Sequence, residues 1–309
     1  MRARYGIVFC FIQFLLIISC APRPEWPGPV KGGFRLPNRW ILTPAGEHIP
    51  VGDLPLNMAI SPDGSLLAVT NNGYSRQFIS LIDVRGDSIA GEIPMGKSFY
   101  GLAFSTDGSR LYASGGGDDR ILVWRMNGRS ATPDSSISLR GAGAPPKPFP
   151  AGIALSSDGK TLYAAENRGD CLAVIYPDIR TVERHIPIGP FPYDVKVIPS
   201  RSKIYVSLWG GSAVRALDSR TYETVATIGV GDHPNAMLAS PDESLLYVAC
   251  ANTDDVWIID TSKDILVEKI RLHPYPGAPF GSTPNALALS KDGRTLYVAN
   301  ATNNDIAVA

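Results

Sequence analysis

Six times between residues 56 and 300 the chain repeats one pattern: a small apolar run, a Ser-Pro-Asp-Gly-like turn, then a segment resembling Leu-Tyr-Val-Ala-Asn. It is clearest from Asn285 to Asn300. Aligning Ala68, Tyr112, Tyr163, Tyr205, Tyr247 and Tyr297 gives spacings of 44, 51, 42, 42 and 50 residues, enough for four short strands and their turns. A lone four-stranded sheet with two oily faces cannot bury both, so such units stack around an axis. The expected fold is therefore all-β, a β-propeller of four-stranded blades with six repeats visible.

The inner strand of each repeat is predicted at the apolar run that follows a proline: Met58 to Ile60, Leu102 to Phe104, Ile153 to Leu155, Val195 to Val197, Met237 to Ala239 and Leu287 to Leu289. Asp63-Gly64, Asp107-Gly108, Asp158-Gly159 and Asp292-Gly293 then supply tight turns that favour positive φ. Ser200-Arg201 and Asp242-Glu243 replace that dipeptide in the fourth and fifth repeats, which predicts another turn type there. The third strands, such as Leu172 to Ile175 and Val256 to Ile259, are nearly continuous apolar runs, as a sheet covered on both faces requires. Outer strands such as Glu223 to Ile228 are more polar.

Charge is balanced, 29 Lys+Arg against 29 Asp+Glu, and no basic cluster stands out. Nucleic acid is therefore not an expected partner, because binding it needs a basic face that displaces counterions. At the N-terminus, Arg2 and Arg4 precede an apolar run from Ile7 to Ile18 and then Ser19-Cys20, the layout of an export signal. The run is shorter than the roughly 20 residues a bilayer helix needs. This stretch resembles the bacterial lipoprotein signal; the resemblance implies that Cys20 is the lipidation site, residues 1–20 are the signal peptide, and the chain is anchored to the membrane through lipid. Ala21 after the cysteine implies sorting to the outer membrane, facing periplasm or exterior. Residues 21–37, rich in proline and glycine, read as a tether, and 38–309 as the propeller. Cys171 and Cys250 lie two repeats apart and read as buried hydrophobes rather than a disulfide.

Two closures are open at this stage. Trp40-Ile41-Leu42 and Glu47-His48-Ile49 form a predicted hairpin that either completes a closed six-bladed ring or belongs to an incomplete seven-bladed one. Leu296-Tyr297-Val298-Ala299-Asn300 and Leu246-Tyr247-Val248-Ala249, with their turns, resemble the repeats of the YVTN-repeat, or YncE-like, β-propeller family over residues 38–309. Leu36 to Gly46 and Pro274 to Asn285 resemble, more narrowly, the propeller half of bacterial proteins that carry a phosphoesterase domain of the alkaline phosphatase superfamily. That resemblance favours the seven-bladed reading and implies a phosphoesterase domain, or another envelope protein, as partner.

No zinc-protease, nucleophile-elbow, phosphate-loop or haem-attachment motif occurs, and no cofactor is expected. Activity, if present, must come from residues gathered at the axis, so the chain reads first as a binding or scaffold module. The loops that enter the inner strands and leave the second strands share one end of the ring. They offer Tyr100, Glu166, Arg168, Tyr193, Asp194, Trp209, Asn235 and Asn285 for a ligand or partner site at an axial mouth, aromatic walls around a few hydrogen-bonding groups. The alternative is a lactonase-like hydrolase with Ca²⁺ or Mg²⁺ held by Glu166, Asp194, Asn235 and Asn285. Two proline-stiffened insertions, from Gly141 to Pro150 and from His273 to Pro284, fall on the same end.

Overall fold

The computed structural model describes residues 26–309 apart from 38, 44, 45, 274, 276 and 278–280. The predicted signal peptide and Cys20 lie outside the described residues. The chain divides into two compact units, one ending at His48 and one running from Ile49. In the first, Gly28–Val30, Gly33–Arg35 and Ile41–Leu42 form a three-stranded antiparallel sheet, so the stretch read as a tether holds two paired strands. Gly33 is required there, since a Cβ would lie 2.0 Å from the Leu42 carbonyl oxygen. The predicted hairpin of Trp40 to Leu42 with Glu47 to Ile49 does not form. Ile41–Leu42 pairs back on Gly33–Arg35 instead, and residues 47–50 are not strand.

The second unit is six antiparallel sheets in sequence order, the blades of a propeller. From inner to outer strand the first blade is Pro55–Ile60, Leu66–Asn71, Phe78–Asp83 and Ser88–Pro94. The third is Pro150–Leu155, Leu162–Glu166, Cys171–Tyr176 and Thr181–Pro187. The fourth is Pro192–Ile198, Lys203–Leu208, Ala213–Asp218 and Thr224–Gly229, and the fifth is Pro234–Ala239, Leu245–Cys250, Asp255–Asp260 and Ile265–Arg271. The second blade is Leu102–Phe104, Arg110–Ser114 and Arg120–Asn127, with its outer position shared by Ser130–Pro133 and Ile137–Ser138. The sixth holds Pro284–Leu289, Leu296–Asn300 and Asp305–Val308.

Each inner hairpin is set by its turn. Ser61 Oγ donates to Asp63 Oδ1 at 2.6 Å, Leu66 N–H donates back to Ser61 Oγ, and Gly64 takes φ +70°. The same Ser-to-Asp bond recurs at Ser105, Ser156, Ser240 and Ser290. The fifth turn therefore keeps the common type, contrary to expectation, because Glu243 accepts φ +59° where its relatives have glycine. The fourth turn does differ, with a 3₁₀ turn at Pro199–Arg201 and the left-handed residue displaced to Ser202.

Between blades the packing is apolar and directional. The aligned tyrosines face forward: Tyr163 packs with Val195, Ile204 and Val206 of the fourth blade, and Tyr205 with Met237 and Val248 of the fifth. Residues in the Met58 column face backward, as Val195 and Met237 do in those same clusters. In the interior blades both columns are sealed, with Ile153 7%, Val195 0%, Met237 3%, Tyr163 3% and Tyr205 0% exposed. At the ends they are open: Met58 is 62% exposed and Tyr297 41%, with Ile306 and Val308 each at 66%. A closed six-bladed ring would press these two faces together, so the exposure argues against that alternative. Cys171 and Cys250 are free and buried, as expected.

This asymmetry predicts unequal costs for one chemical change. Tyr163→Ala should lower stability by about 3 kcal/mol, and Tyr297→Ala by less than about 1 kcal/mol, in urea denaturation. Equal losses would contradict the assignment of faces.

Candidate functional site

The mouth begins in a defect that recurs in the inner strands. Pro55 pairs with Asn71 but Met58 with Val69, which leaves one extra residue on the inner strand, a β-bulge. The same shift follows Pro150, Pro192, Pro234 and Pro284. The bulge takes in two sequence columns: Asn235 and Asn285 directly after the proline, and Asn57, Gly152 and Asp194 one residue further on.

Much of its polar chemistry is spent on holding neighbouring inner strands together. Asn57 Nδ2 donates to the Tyr100 carbonyl at 2.7 Å, and Asn235 Nδ2 to the Pro284 carbonyl at 3.0 Å. Asp194 Oδ2 accepts from Met237 N–H at 2.9 Å, while its Oδ1 accepts from Val195 N–H. Where the strands come closest, the sequence has glycine: a Cβ on Gly101 would lie 2.3 Å from the Ala151 carbonyl oxygen, and one on Gly152 2.6 Å from that of Tyr193. Burial raises the Asp194 carboxyl above its ordinary range, with Lys196 Nζ at 3.7 Å and the backbone donors partly offsetting it.

Glu166 is placed differently from expectation. It is fully buried and turns away from a shared metal set to His185 on the outer strand of its own blade, Nδ1 lying 3.0 and 2.8 Å from its two carboxylate oxygens. Small Ala164 and Ala173, in register with His185, leave space for that reach. Burial pushes the Glu166 carboxyl up, and the His185 hydrogen bond only partly opposes it. The four residues of the metal alternative are thus engaged with different partners, except Asn285, which is exposed. Among the described residues no group of three His, Cys, Asp or Glu side chains is arranged to hold a metal ion.

What the structure does assemble is aromatic. Tyr100 and Tyr193 rings lie 4.8 Å apart, Phe99 stands 6.0 Å from Tyr193 and 5.3 Å from Phe149, and the Arg168 guanidinium caps the Phe149 ring at 4.7 Å. A second group joins Phe191, Trp209 and His233, with Trp209 centroids 6.2 and 3.9 Å from its neighbours. His233 Nδ1 lies 2.8 Å from both Asp232 Oδ2 and Asn252 Nδ2. Burial raises the hydroxyl pKa values of Tyr100 and Tyr193, with Asp194 adding to the effect, so both are neutral hydrogen-bonding groups.

Sequence reading missed Phe149, Phe191 and His233. Each immediately precedes the proline that opens an inner strand, and each takes a left-handed φ of 49°, 49° and 54°. The backbone is held there from the preceding blade: Asp119 Oδ1 accepts from Phe149 N–H, and Asp170 Oδ1 from Phe191 N–H, both at 2.9 Å. Asp254 does the same for Thr283. The signal was an aspartate ending the loop before the third strand in the second, third and fifth blades, Asp119, Asp170 and Asp254, and an X-Pro step one residue upstream of the columns that were read. The Gly141 to Pro150 insertion docks on the Glu166 turn, where a Cβ on Gly169 would meet Pro145 Cγ at 2.5 Å.

No family model matches the chain. A stretch of 145 residues, 39% of this chain, is 32% identical to Antigen Lp49 of Leptospira interrogans. The match spans 31% of that relative, so the chain corresponds to about a third of its length. Among solved structures, hydrazine synthase of Kuenenia stuttgartiensis is similar over 86% of this chain and 97% of its own, with a TM-score of 0.57 and 18% identity. At that identity the likeness supports the propeller fold alone.

The buried Glu166 gives a signed pH dependence. A carboxyl with a raised folded pKa binds protons more tightly folded than unfolded, so its stabilising contribution is complete below its ordinary value of about 4.5 and is lost as pH rises through the folded value. The melting temperature of wild type minus that of Glu166→Gln should therefore fall as pH is raised from 4.5. A difference that stays flat or grows would overturn the account of this pair.

Proposed function

We propose that this chain is a lipid-anchored module of the bacterial cell envelope that holds a ligand or partner protein against the loop end of its propeller. The observation that carries the reading is the division of labour at the mouth. Asp194 and Asn235 are consumed by strand-to-strand bonds, whereas Phe191 and Trp209 stand 45% and 38% exposed, Phe191 held by Asp170 of the preceding blade and Trp209 by its N–H bond to the Phe191 carbonyl. Rigid, displayed aromatic groups lose little entropy on contact, which suits docking. In this reading Tyr100, Arg168, Tyr193 and Asn285 complete the contact surface.

Several features support the envelope assignment. The first twenty residues have the layout of a lipoprotein signal, and a partial relative bears the name antigen, which fits display at the cell exterior. The YVTN-type repeats fit a seven-bladed propeller that works beside a phosphoesterase domain. The open faces of the first and last blades are compatible with that arrangement.

The test uses mature protein immobilised and exposed to a detergent extract of the envelope. The wild type should retain a species that Tyr193→Ala and Trp209→Ala release, each variant binding roughly 30-fold more weakly, the effect of losing a hot-spot contact of about 2 kcal/mol. Equal retention by all three proteins would remove this face from consideration. The mass of the mature N-terminus, read from the same preparation, should show a diacylated Cys20. An unmodified start at Ala21 would remove the anchor.

A further inference from the structure

One side chain departs from a pattern seen in three blades on the face turned toward the preceding blade. On that face the outer strands of the first, third and fifth blades each carry a charged or titratable residue with a partner of opposite sign. Glu92 pairs with Arg76, His185 with Glu166, and Lys269 with Asp255. In the fourth blade the corresponding level holds Arg215, in register with Val206 and Thr227. Val206 packs against the third blade, so Arg215 shares that interface. Its Nε is buried without a hydrogen-bond partner, and its guanidinium joins none of the ion pairs among the described residues.

The fifth blade shows what is missing. There Asp255 opens the third strand opposite Cys250, accepts from the Trp257 indole two residues on at 2.7 Å, and lies 3.7 Å from Lys269. The residue in the Asp255 position of the fourth blade is Ala213, opposite Leu208. A half-buried guanidinium without a carboxylate costs free energy in proportion to the hydration it has lost, and its Nε–H in particular is shut away from water with no acceptor. The backbone beside the guanidinium also carries no side chain. Gly189, at φ +115°, lies beside this group, and the Cβ it lacks would sit 3.8 Å from Arg215 Nη2 and 3.2 Å from Leu208 Cδ1. The residue is partly accessible.

We propose that Arg215 is the cationic centre of an oxyanion site between the third and fourth blades, filled by a carboxylate or phosphate group that supplies the counter-charge Ala213 does not. The guanidinium binds the oxygens through parallel N–H donors. Gly189 admits the group next to the loop that carries Phe191. This site does not depend on the docking role of the mouth, and its test requires no partner.

The test is thermal unfolding of wild type, R215M and A213D at fixed ionic strength, with chloride replaced by inorganic phosphate in one arm and acetate in the other. Phosphate, acetate or both should raise the wild-type melting temperature saturably, by about 5 °C at a hundredfold excess over Kd. The arm that responds identifies the tetrahedral or the planar group. R215M should show no anion-dependent rise. A213D puts a carboxylate where the fifth blade carries one, so it should melt higher than wild type in chloride and lose the anion response. A rise in R215M equal to that of wild type, or no rise in wild type with either anion, would overturn the site. If R215M does not fold, an undiminished anion response in A213D has the same force.

Discussion

The structure depends on the burial of each sheet's two apolar faces by the sheets before and after it. A blade contributes a forward column, seen in Tyr163 and Tyr205, and a backward column, seen in Val195 and Met237, and neither is sealed by the blade itself. Hydrophobic stabilisation scales with the apolar area removed from water, so a blade is only as stable as its neighbours make it. The same radial stacking brings inner strands so near the axis that Gly101 and Gly152 cannot carry a side chain. Everything at the mouth follows from that proximity. Polar bulge residues find backbone of the next strand within hydrogen-bond reach, and become part of the lock rather than of a site.

This explains why the fold was legible in the sequence while the site was only partly so. Period, turn chemistry and apolar runs are local, and they marked all six inner strands to within a few residues. The fifth turn was misjudged because Glu243 tolerates a backbone conformation that composition assigns to glycine. The residues read from the loop ends take different roles. Tyr100 and Tyr193 meet as expected, Asp194 and Asn235 are occupied by backbone, and Glu166 turns to His185. Those partners lie 43, 49 and 19 residues away, and nothing in a single repeat announces them.

Left-handed Phe149, Phe191 and His233 show a second limit. A bulky residue before proline is ordinarily extended, so a sequence argument places its side chain elsewhere. Here an aspartate of the preceding blade, Asp119 or Asp170, fixes the N–H of Phe149 or Phe191 and makes the unusual conformation affordable. The aromatic groups offered for docking are thus positioned by contacts between blades, and recognition at the mouth shares its physical origin with stability.

Residue-resolved amide hydrogen exchange of the intact chain tests this dependence most directly, because it reports how much of the structure must open at each strand. Protection should peak in the second and third strands of the third, fourth and fifth blades. It should drop toward the first and sixth, with Val69 and Val298 exchanging well before Val206. Equal protection in all six blades would contradict the claim that each sheet owes its stability to the neighbours covering it.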